Sequence, residues 1–307
     1  MANGRLFDLH SDTLGVCFSV SEDGETIPFE AAKHELWKRT APISAVFPTY
    51  HQVFAVYSRP TLPPQVAWER LVQIATALHT LPLPLGCRPY LAVENGALLD
   101  ERPERLERLP ALGVRVFTPL WGGKSCLGGA HDTAEGLTPF GIEAVRYCLA
   151  HGILVDVSHA SDTAFWQILT LADEEGLPPI ASHSSARALC PHSRNLTDDM
   201  FHALRRRGGI VGVCLAPEHL SPSGQATVAT VADHVEYYFS LGGERCVCLG
   251  CDYDGIEQTP RELECPARLP ALAAELQRRG LSPTQIENCF YGNASSFFMK
   301  NGVRPSV

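Results

Sequence analysis

Short apolar runs alternate with amphipathic segments along most of the chain. Eight runs have the length of buried strands, and most are followed by apolar positions that recur with a helical period. The predicted strands are residues 6–10, 43–47 with a continuation to 57, 90–93, 114–118, 153–157, 179–182, 210–215 and 246–250. The predicted helices are residues 65–79, 141–151, 162–175, 197–207, 227–241, 269–279 and 283–300. This alternation predicts an α/β fold, a TIM-like (β/α)8 barrel with C-terminal helices.

The length of the chain fits one such barrel. It has 307 residues, of which 45% are hydrophobic, and a barrel of this kind commonly takes about 250 residues. We therefore expect residues 1–307 to form a single barrel domain. The irregular segment 22–59 is expected to form part of a substrate lid or of an interface.

Charge and composition narrow the class of partner. The net charge of -9 and the absence of a long basic cluster argue against a nucleic-acid partner. No apolar stretch approaches the roughly 18 residues that span a bilayer, and no leader precedes the first strand, so a soluble, cytoplasmic protein without membrane contact is expected. The eleven cysteines are expected to be reduced, and Cys246, Cys248 and Cys251 are interpreted as core packing rather than as a zinc or redox site.

Acidic and histidine residues stand at the ends of five predicted strands. They are His10, Asp12, Glu94, His159, His183 and Asp252. The carboxyl ends of barrel strands surround one common mouth, so these side chains are expected to converge. Imidazoles and carboxylates in this number could hold two divalent ions about 3.5 to 4 Å apart, which would activate a water and polarise a carbonyl. Taken singly, each histidine is more typical of a hydrogen-bonded core or surface residue.

Seven sequence pieces also resemble the membrane (renal) dipeptidases of peptidase family M19 and their bacterial relatives. They are FDLHSDT at 7–13, AVENG at 92–96, GLTPFG at 136–141, ILVDVSHAS at 153–161, ASHSSARAL at 181–189, RNLTDD at 194–199 and GCDYDGI at 250–256. The resemblance implies a zinc-dependent dipeptidase with two Zn²⁺ per chain, other divalent ions being open. It further implies a hydroxide that bridges the metals, broad tolerance for dipeptides, frequent acceptance of a D-residue at the carboxyl side, and a homodimer.

The resemblance also assigns roles to residues of this chain. His10 and Asp12 resemble ligands of one zinc, His159 and His183 ligands of the other, and Glu94 the carboxylate that bridges both. Asp252 is similar to the acid/base residue of the family. Arg194 resembles the arginine that holds the terminal carboxylate of the substrate, a task suited to a guanidinium fork.

Several alternatives stay open. Trp121 stands where mammalian members have a histidine thought to contact the substrate, so it is either a substrate contact or a packing residue. Asp254 is a second candidate for the proton carrier, and Arg194 could instead pair with an aspartate at 198 or 199. A thiol nucleophile at Cys126 or Cys190 lacks a base at fixed spacing. The same site could also hydrolyse another small amide or a β-lactam. Alternatively, the chain could be a catalytically silent family member that acts as a binding protein.

Overall fold

The strands of a computed structural model build one curved parallel sheet. The structure describes residues 4–19 and 27–307. Within these residues the strands are β1 (Arg5–Ser11), β2 (Thr49–Tyr57), β3 (Cys87–Glu94), β4 (Val114–Thr118), β5 (Lys124–Ser125), β6 (Gly128–Gly129), β7 (Leu154–Val155), β8 (Val211–Val213) and β9 (Val247–Leu249). Seven of them pair in the order β7-β4-β3-β2-β1-β9-β8, and β5 and β6 form a separate antiparallel hairpin.

The two edges of this sheet are joined by a short eighth segment at Ile180 and Ala181. Ile180 forms a parallel bridge with Asp156, directly after β7, and Ala181 forms one with Val211 at the start of β8. The amide of Ile180 donates to Val155 at 3.0 Å, which continues the hydrogen bonding across the gap. The predicted sixth strand is therefore present as two bridges rather than as a regular strand, and the predicted TIM-like α/β fold is confirmed.

Helices follow most strands and close the chain. Among the described residues they are α1 (Thr13–Cys17), α2 (Phe29–Val46), α3 (Pro64–Leu78), α4 (Pro103–Arg108), α5 (Pro139–Ala150), α6 (Asp162–Glu175), α7 (Asp198–Arg206), α8 (Pro217–Leu220), α9 (Val228–Ser240), α10 (Pro270–Arg278), α11 (Pro283–Glu287) and α12 (Asn293–Lys300). The predicted C-terminal helices are present as α10 to α12. In the part of the chain that is described, every helix is too short or too polar to cross a membrane.

The second predicted strand was wrong over its first half. Residues 43–46 belong to α2, and the strand itself is β2. The buried positions of α2 are Ala32, Leu36, Thr40 and Ile43, at spacings of three and four residues, so the apolar run at 43–47 is the end of a helical face. Part of the segment 22–59, for which a lid or an interface was expected, lies outside the described residues, at positions 22–26.

The cysteines belong to the core and to its edges. All eleven are free thiols, and Cys246, Cys248 and Cys251 are buried. This agrees with the predicted packing role, because a reduced cysteine behaves as a small apolar side chain.

Candidate metal centre

The structure brings all six predicted strand-end residues to one mouth of the barrel. His10 lies in β1 and Glu94 is the last residue of β3, while Asp252 follows β9. Asp12, Glu94, His159 and Asp252 line a cavity of about 630 Å³. The remaining two, His10 and His183, are buried against them, each about 1% exposed. Parallel strands place their carboxyl ends at the same edge, which is why segments far apart in sequence meet here.

Glu94 lies between two groups of nitrogen and oxygen donors. Its Oε1 is 3.0 Å from Nε2 of His159 and 3.7 Å from Nε2 of His183. Its Oε2 is 3.4 Å from Nε2 of His10, and that nitrogen lies 3.5 Å from Oδ2 of Asp12. Glu94 with His159 and His183, and His10 with Asp12 and Asp252, are both close enough to hold a metal ion. One carboxylate therefore offers one oxygen to each group.

The ring nitrogens of the two later histidines identify a place for a cation. Nδ1 of His159 lies 2.9 Å from the carbonyl of Trp121 and must donate to it, because a carbonyl only accepts. Nδ1 of His183 lies 2.7 Å from the hydroxyl of Ser182, which donates its proton to Asp156 and therefore accepts from the ring. With Nδ1 as the donor in both rings, the two Nε2 lone pairs face each other at 3.0 Å. Burial lowers the pKa of both rings well below the usual value, so protonation does not relieve this repulsion, whereas a shared cation would.

The other group concentrates negative charge. Burial raises the pKa of Asp12 to about 6, and the charge of Glu94 adds to that effect. Burial likewise raises the pKa of Asp252 well above its usual value. Burial alone would lower the pKa of His10, but the charges of Glu94 and Asp12 outweigh it and raise that pKa. Three buried carboxylates around one imidazole form a donor set that suits a divalent cation.

Space for that cation depends on a glycine. A Cβ on Gly255 would lie 2.2 Å from Oδ2 of Asp12 and 2.4 Å from Oδ1 of Asp252. Both distances are far below van der Waals contact, so any side chain here would push the two carboxylates apart. The residues present thus fit a metal centre in chemistry and in space.

The backbone is left-handed at several mouth residues. His159 has φ of 71° and Asp252 has φ of 61°, and Asn95 directly after Glu94 has φ of 69°. Non-glycine residues adopt this region infrequently, and such conformations cluster at functional sites. The side chains of His159 and Asp252 both line the cavity.

Arg194 brings a buried cation to the same cavity. It is 4% exposed and lines the cavity wall. Its Nη2 makes a long contact of 3.4 Å to the carbonyl of His183. Within the described residues, its Nε and Nη1 have no hydrogen-bond partner. Among the described residues, Arg194 does not form the predicted alternative, an ion pair with Asp198 or Asp199, and Asp198 accepts instead from the hydroxyl of Tyr237.

Trp121 lines the cavity. Its ring lies 4.8 Å from the ring of Tyr57 and is stacked 5.8 Å from that of His159. Its carbonyl also orients His159, so this residue has a packing role and a place in the cavity wall at once.

Asp254, the alternative proton carrier, is occupied by other partners. Its Oδ2 accepts from the hydroxyl of Thr13 at 2.8 Å, and its Oδ1 accepts from the guanidinium of Arg39 on α2. Asp252, in contrast, lies 3.8 Å from Nε2 of His10 and within the metal group. Of the two aspartates, only Asp252 therefore lies within a possible metal-binding group of the described residues.

The sequence analysis did not identify Arg70, a residue of α3 whose side chain hydrogen-bonds to the backbone beside the mouth of the barrel. Its Nε donates to the carbonyl of Phe18 at 2.8 Å, and its other nitrogens donate to the carbonyls of Tyr57 and Gly15. These bonds fix the chain just after Asp12. The signal was an arginine within the buried face of a helix, between Ala67 and Ile74.

Two further cavity neighbours were also missed. Cys214 lies beside Asp252, with 3.8 Å between Sγ and Oδ2. His219 lines the cavity, and burial lowers its pKa to about 2. Both residues follow β8. The residue directly after this strand is Cys214, so the strand end lacks the acidic or histidine residue that marked the other strand ends in the sequence.

Comparisons with known proteins place the chain in a family. Residues 84–300 match the family described as membrane dipeptidase, peptidase family M19. An uncharacterised protein of Klebsiella pneumoniae is 34% identical over 213 residues, which are 66% of this chain and 77% of that protein. Dipeptidase 3 of Homo sapiens is 33% identical over 222 residues, 70% of this chain. The match spans only 44% of the length of that dipeptidase.

Solved structures match over nearly the whole chain. A dipeptidase of family M19 superposes with a TM-score of 0.80 at 21% identity, covering 97% of this chain and 99% of its own. A metallopeptidase of Rhodobacter sphaeroides, solved with a phosphinate mimic of the dipeptide L-Ala-D-Ala, gives 0.77 at 21% identity with the same coverage. At this level of identity the likeness establishes the fold.

Proposed function

Because the chain belongs to the membrane dipeptidase family, peptidase family M19, we propose that it is a metal-dependent dipeptidase. One observation carries the proposal: Glu94 divides its two oxygens between two donor groups, in a cavity that the buried Arg194 also lines. A metal centre and a carboxylate subsite in one cavity are the two requirements for cutting a short peptide next to its free C-terminus.

The metal centre would hold two zinc ions. His10 and Asp12 would bind one and His159 and His183 the other, with Glu94 shared by both. Nitrogen and carboxylate oxygen donors suit zinc, although other divalent ions accept the same ligands. Bound there, the ions would supply an activated water and polarise the scissile carbonyl.

The residues of the chain would then bind the substrate and move the proton. Arg194, which lines the cavity, would hold the terminal carboxylate through its guanidinium. Trp121 and Tyr57 would form the wall against which the dipeptide packs. Asp252, whose pKa is raised by burial, would accept a proton from the attacking water and pass one to the leaving amine.

The substrate class follows from the position of the carboxylate subsite. A peptide held by its carboxylate at Arg194 would present only its last peptide bond to the metals. The cavity of about 630 Å³ would leave room for one residue before that bond, so turnover should be confined to dipeptides. The Rhodobacter sphaeroides metallopeptidase was solved with a mimic of L-Ala-D-Ala. By analogy we propose that this chain also accepts a D-residue at the C-terminal position.

A substrate panel tests the proposal. L-Ala-L-Ala and L-Ala-D-Ala are compared with their C-terminal amides, with a tripeptide, with N-acyl amino acids and with a β-lactam, before and after chelation and zinc restoration. We expect turnover of the free dipeptides only, lost on chelation and restored by zinc. The amides serve as the matched control, because they keep the scissile bond and remove the carboxylate.

Two results would contradict the proposal in different ways. Equal turnover of the dipeptides and their amides would remove the carboxylate role of Arg194. Turnover of the N-acyl amino acids or the β-lactam, with none of the dipeptides, would keep the metal centre and assign it to another amide.

A further inference from the structure

A buried chain of hydrogen bonds lies behind His183, on the side away from the cavity. The hydroxyl of Ser182 is 2.6 Å from Oδ2 of Asp156 and 2.7 Å from Nδ1 of His183. Asp156 and Ser182 are fully buried and His183 is 1% exposed. The proposed function gives neither Asp156 nor Ser182 a task.

The direction of these bonds is set by the carboxylate. Asp156 accepts four donors: the amides of Ser158 and Ser182 at Oδ1, and the hydroxyls of Thr118 and Ser182 at Oδ2. The single hydroxyl proton of Ser182 is therefore used, and its oxygen must accept from Nδ1 of His183. This leaves the lone pair of His183 on Nε2, which lies 3.7 Å from Oε1 of Glu94.

The same hydroxyl reaches the other donor group. Its oxygen lies 3.4 Å from Nδ1 of His10, which its second lone pair can accept. His159, in contrast, is oriented by the carbonyl of Trp121. The hydroxyl of Ser182 thus contacts Nδ1 of one histidine in each group.

We propose that Asp156 and Ser182 are positioning residues that hold His183, and with it His10, in the tautomer whose Nε2 faces the metal centre. The inference rests on the proposed function. Asp156 also lies close enough to His10 and His183 to share a cation with them. Both of its oxygens are already taken by two donors each, however, so it supports the ligands rather than binding metal itself.

Two matched variants test the proposal. Ser182→Ala and Thr118→Ala each remove one buried hydroxyl from the same oxygen of Asp156, at 2.6 Å and 2.8 Å. Only Ser182 contacts a histidine ring. Zn²⁺ affinity is measured by competition with a chromophoric chelator, and the visible spectrum of the Co²⁺-loaded protein reports the ligand field. We expect Ser182→Ala to weaken Zn²⁺ binding by about 10- to 100-fold and to alter the Co²⁺ spectrum. Thr118→Ala should leave both unchanged.

Asp156→Asn provides a second, nearly isosteric variant. Its amide oxygen would remain with the two backbone N–H groups, so its NH₂ must face the hydroxyl of Ser182. That hydroxyl would then donate to Nδ1 of His183 and move the ring proton to Nε2, where it blocks ligation. We expect the same loss of Zn²⁺ affinity, and this variant decides the question if Ser182→Ala does not fold.

The outcomes separate this inference from the proposed function. Zn²⁺ affinities of Ser182→Ala and Asp156→Asn equal to that of Thr118→Ala would overturn the positioning role. A wild-type protein that binds no Zn²⁺ would overturn the metal centre on which it rests.

Discussion

Replacing Arg194 with methionine should remove substrate binding without weakening the fold. The side chain is buried at 4% exposure, and its Nε and Nη1 have no partner among the residues that the structure describes. Burial lowers the pKa of its guanidinium, which reflects the cost of holding the charge there. An arginine kept for stability would normally be paired, so this one is better explained by a ligand.

The magnitude follows from the pair of parallel hydrogen bonds that a guanidinium commonly forms with a carboxylate. A hydrogen bond to a charged group contributes about 1.5–3 kcal/mol. Two such bonds to a substrate carboxylate correspond to a loss of about 10²- to 10⁴-fold in kcat/KM in Arg194→Met. Methionine of similar length relieves the buried charge, so the free energy of unfolding should stay equal or rise by about 1 kcal/mol or more.

The assay combines kinetics with stability. We would measure kcat/KM for L-Ala-L-Ala and its amide, and urea unfolding, for the wild type, Arg194→Met and Arg194→Lys. Lysine keeps the charge but loses the fork, so its kcat/KM should lie between the other two. Wild-type kcat/KM in Arg194→Met, or a loss of several kcal/mol in its unfolding free energy, would refute the reasoning.

Three further predictions follow from single contacts. Asp252→Asn should lower kcat by about 10²- to 10⁴-fold in steady-state assays, while Asp254→Asn, the control, should cost much less. A larger loss in the control would reverse the assignment. Gly250→Ala should destabilise the protein by about 3 kcal/mol in urea unfolding, because its Cβ would lie 1.8 Å from a backbone carbonyl oxygen, and unchanged stability would contradict that contact. His234 accepts the amide of Ala186 at 3.0 Å, and burial lowers its pKa. Only the unfolded chain therefore gains a proton there as pH falls below about 6.5, so stability falls. In urea unfolding His234→Asn should lose less stability than the wild type between pH 7.5 and 5.5, and an equal loss in both would argue against this role.

Helices and strands could be predicted where the spacing of apolar residues fitted either the helical or the strand period, but not both. Strand β4 has the predicted bounds, and helix α6 does too. The pattern misled at residues 43–47, because the helical face of α2 is spread over widely spaced positions and Pro42 interrupts it. A five-residue apolar run fits either a strand or the end of a helix, and only the tertiary contacts separate the two.

The candidate site could be located from sequence because its residues stand at strand ends, and parallel topology fixes where strand ends meet. The hydrogen bonds that hold the site residues in place could not be predicted from the sequence. Ser182 meets Asp156 across 26 residues, and Arg70 reaches Phe18 across 52. Such contacts have no local pattern, since they depend on which strands become neighbours in the sheet.

The most direct test of the metallo-dipeptidase proposal is a zinc titration. Zn²⁺ is added to chelated protein in known equivalents while hydrolysis of L-Ala-L-Ala is followed, with bound metal measured on the same samples. The account predicts no turnover without metal and a rise to a plateau at about two equivalents per chain. Full turnover by the metal-free protein would contradict it.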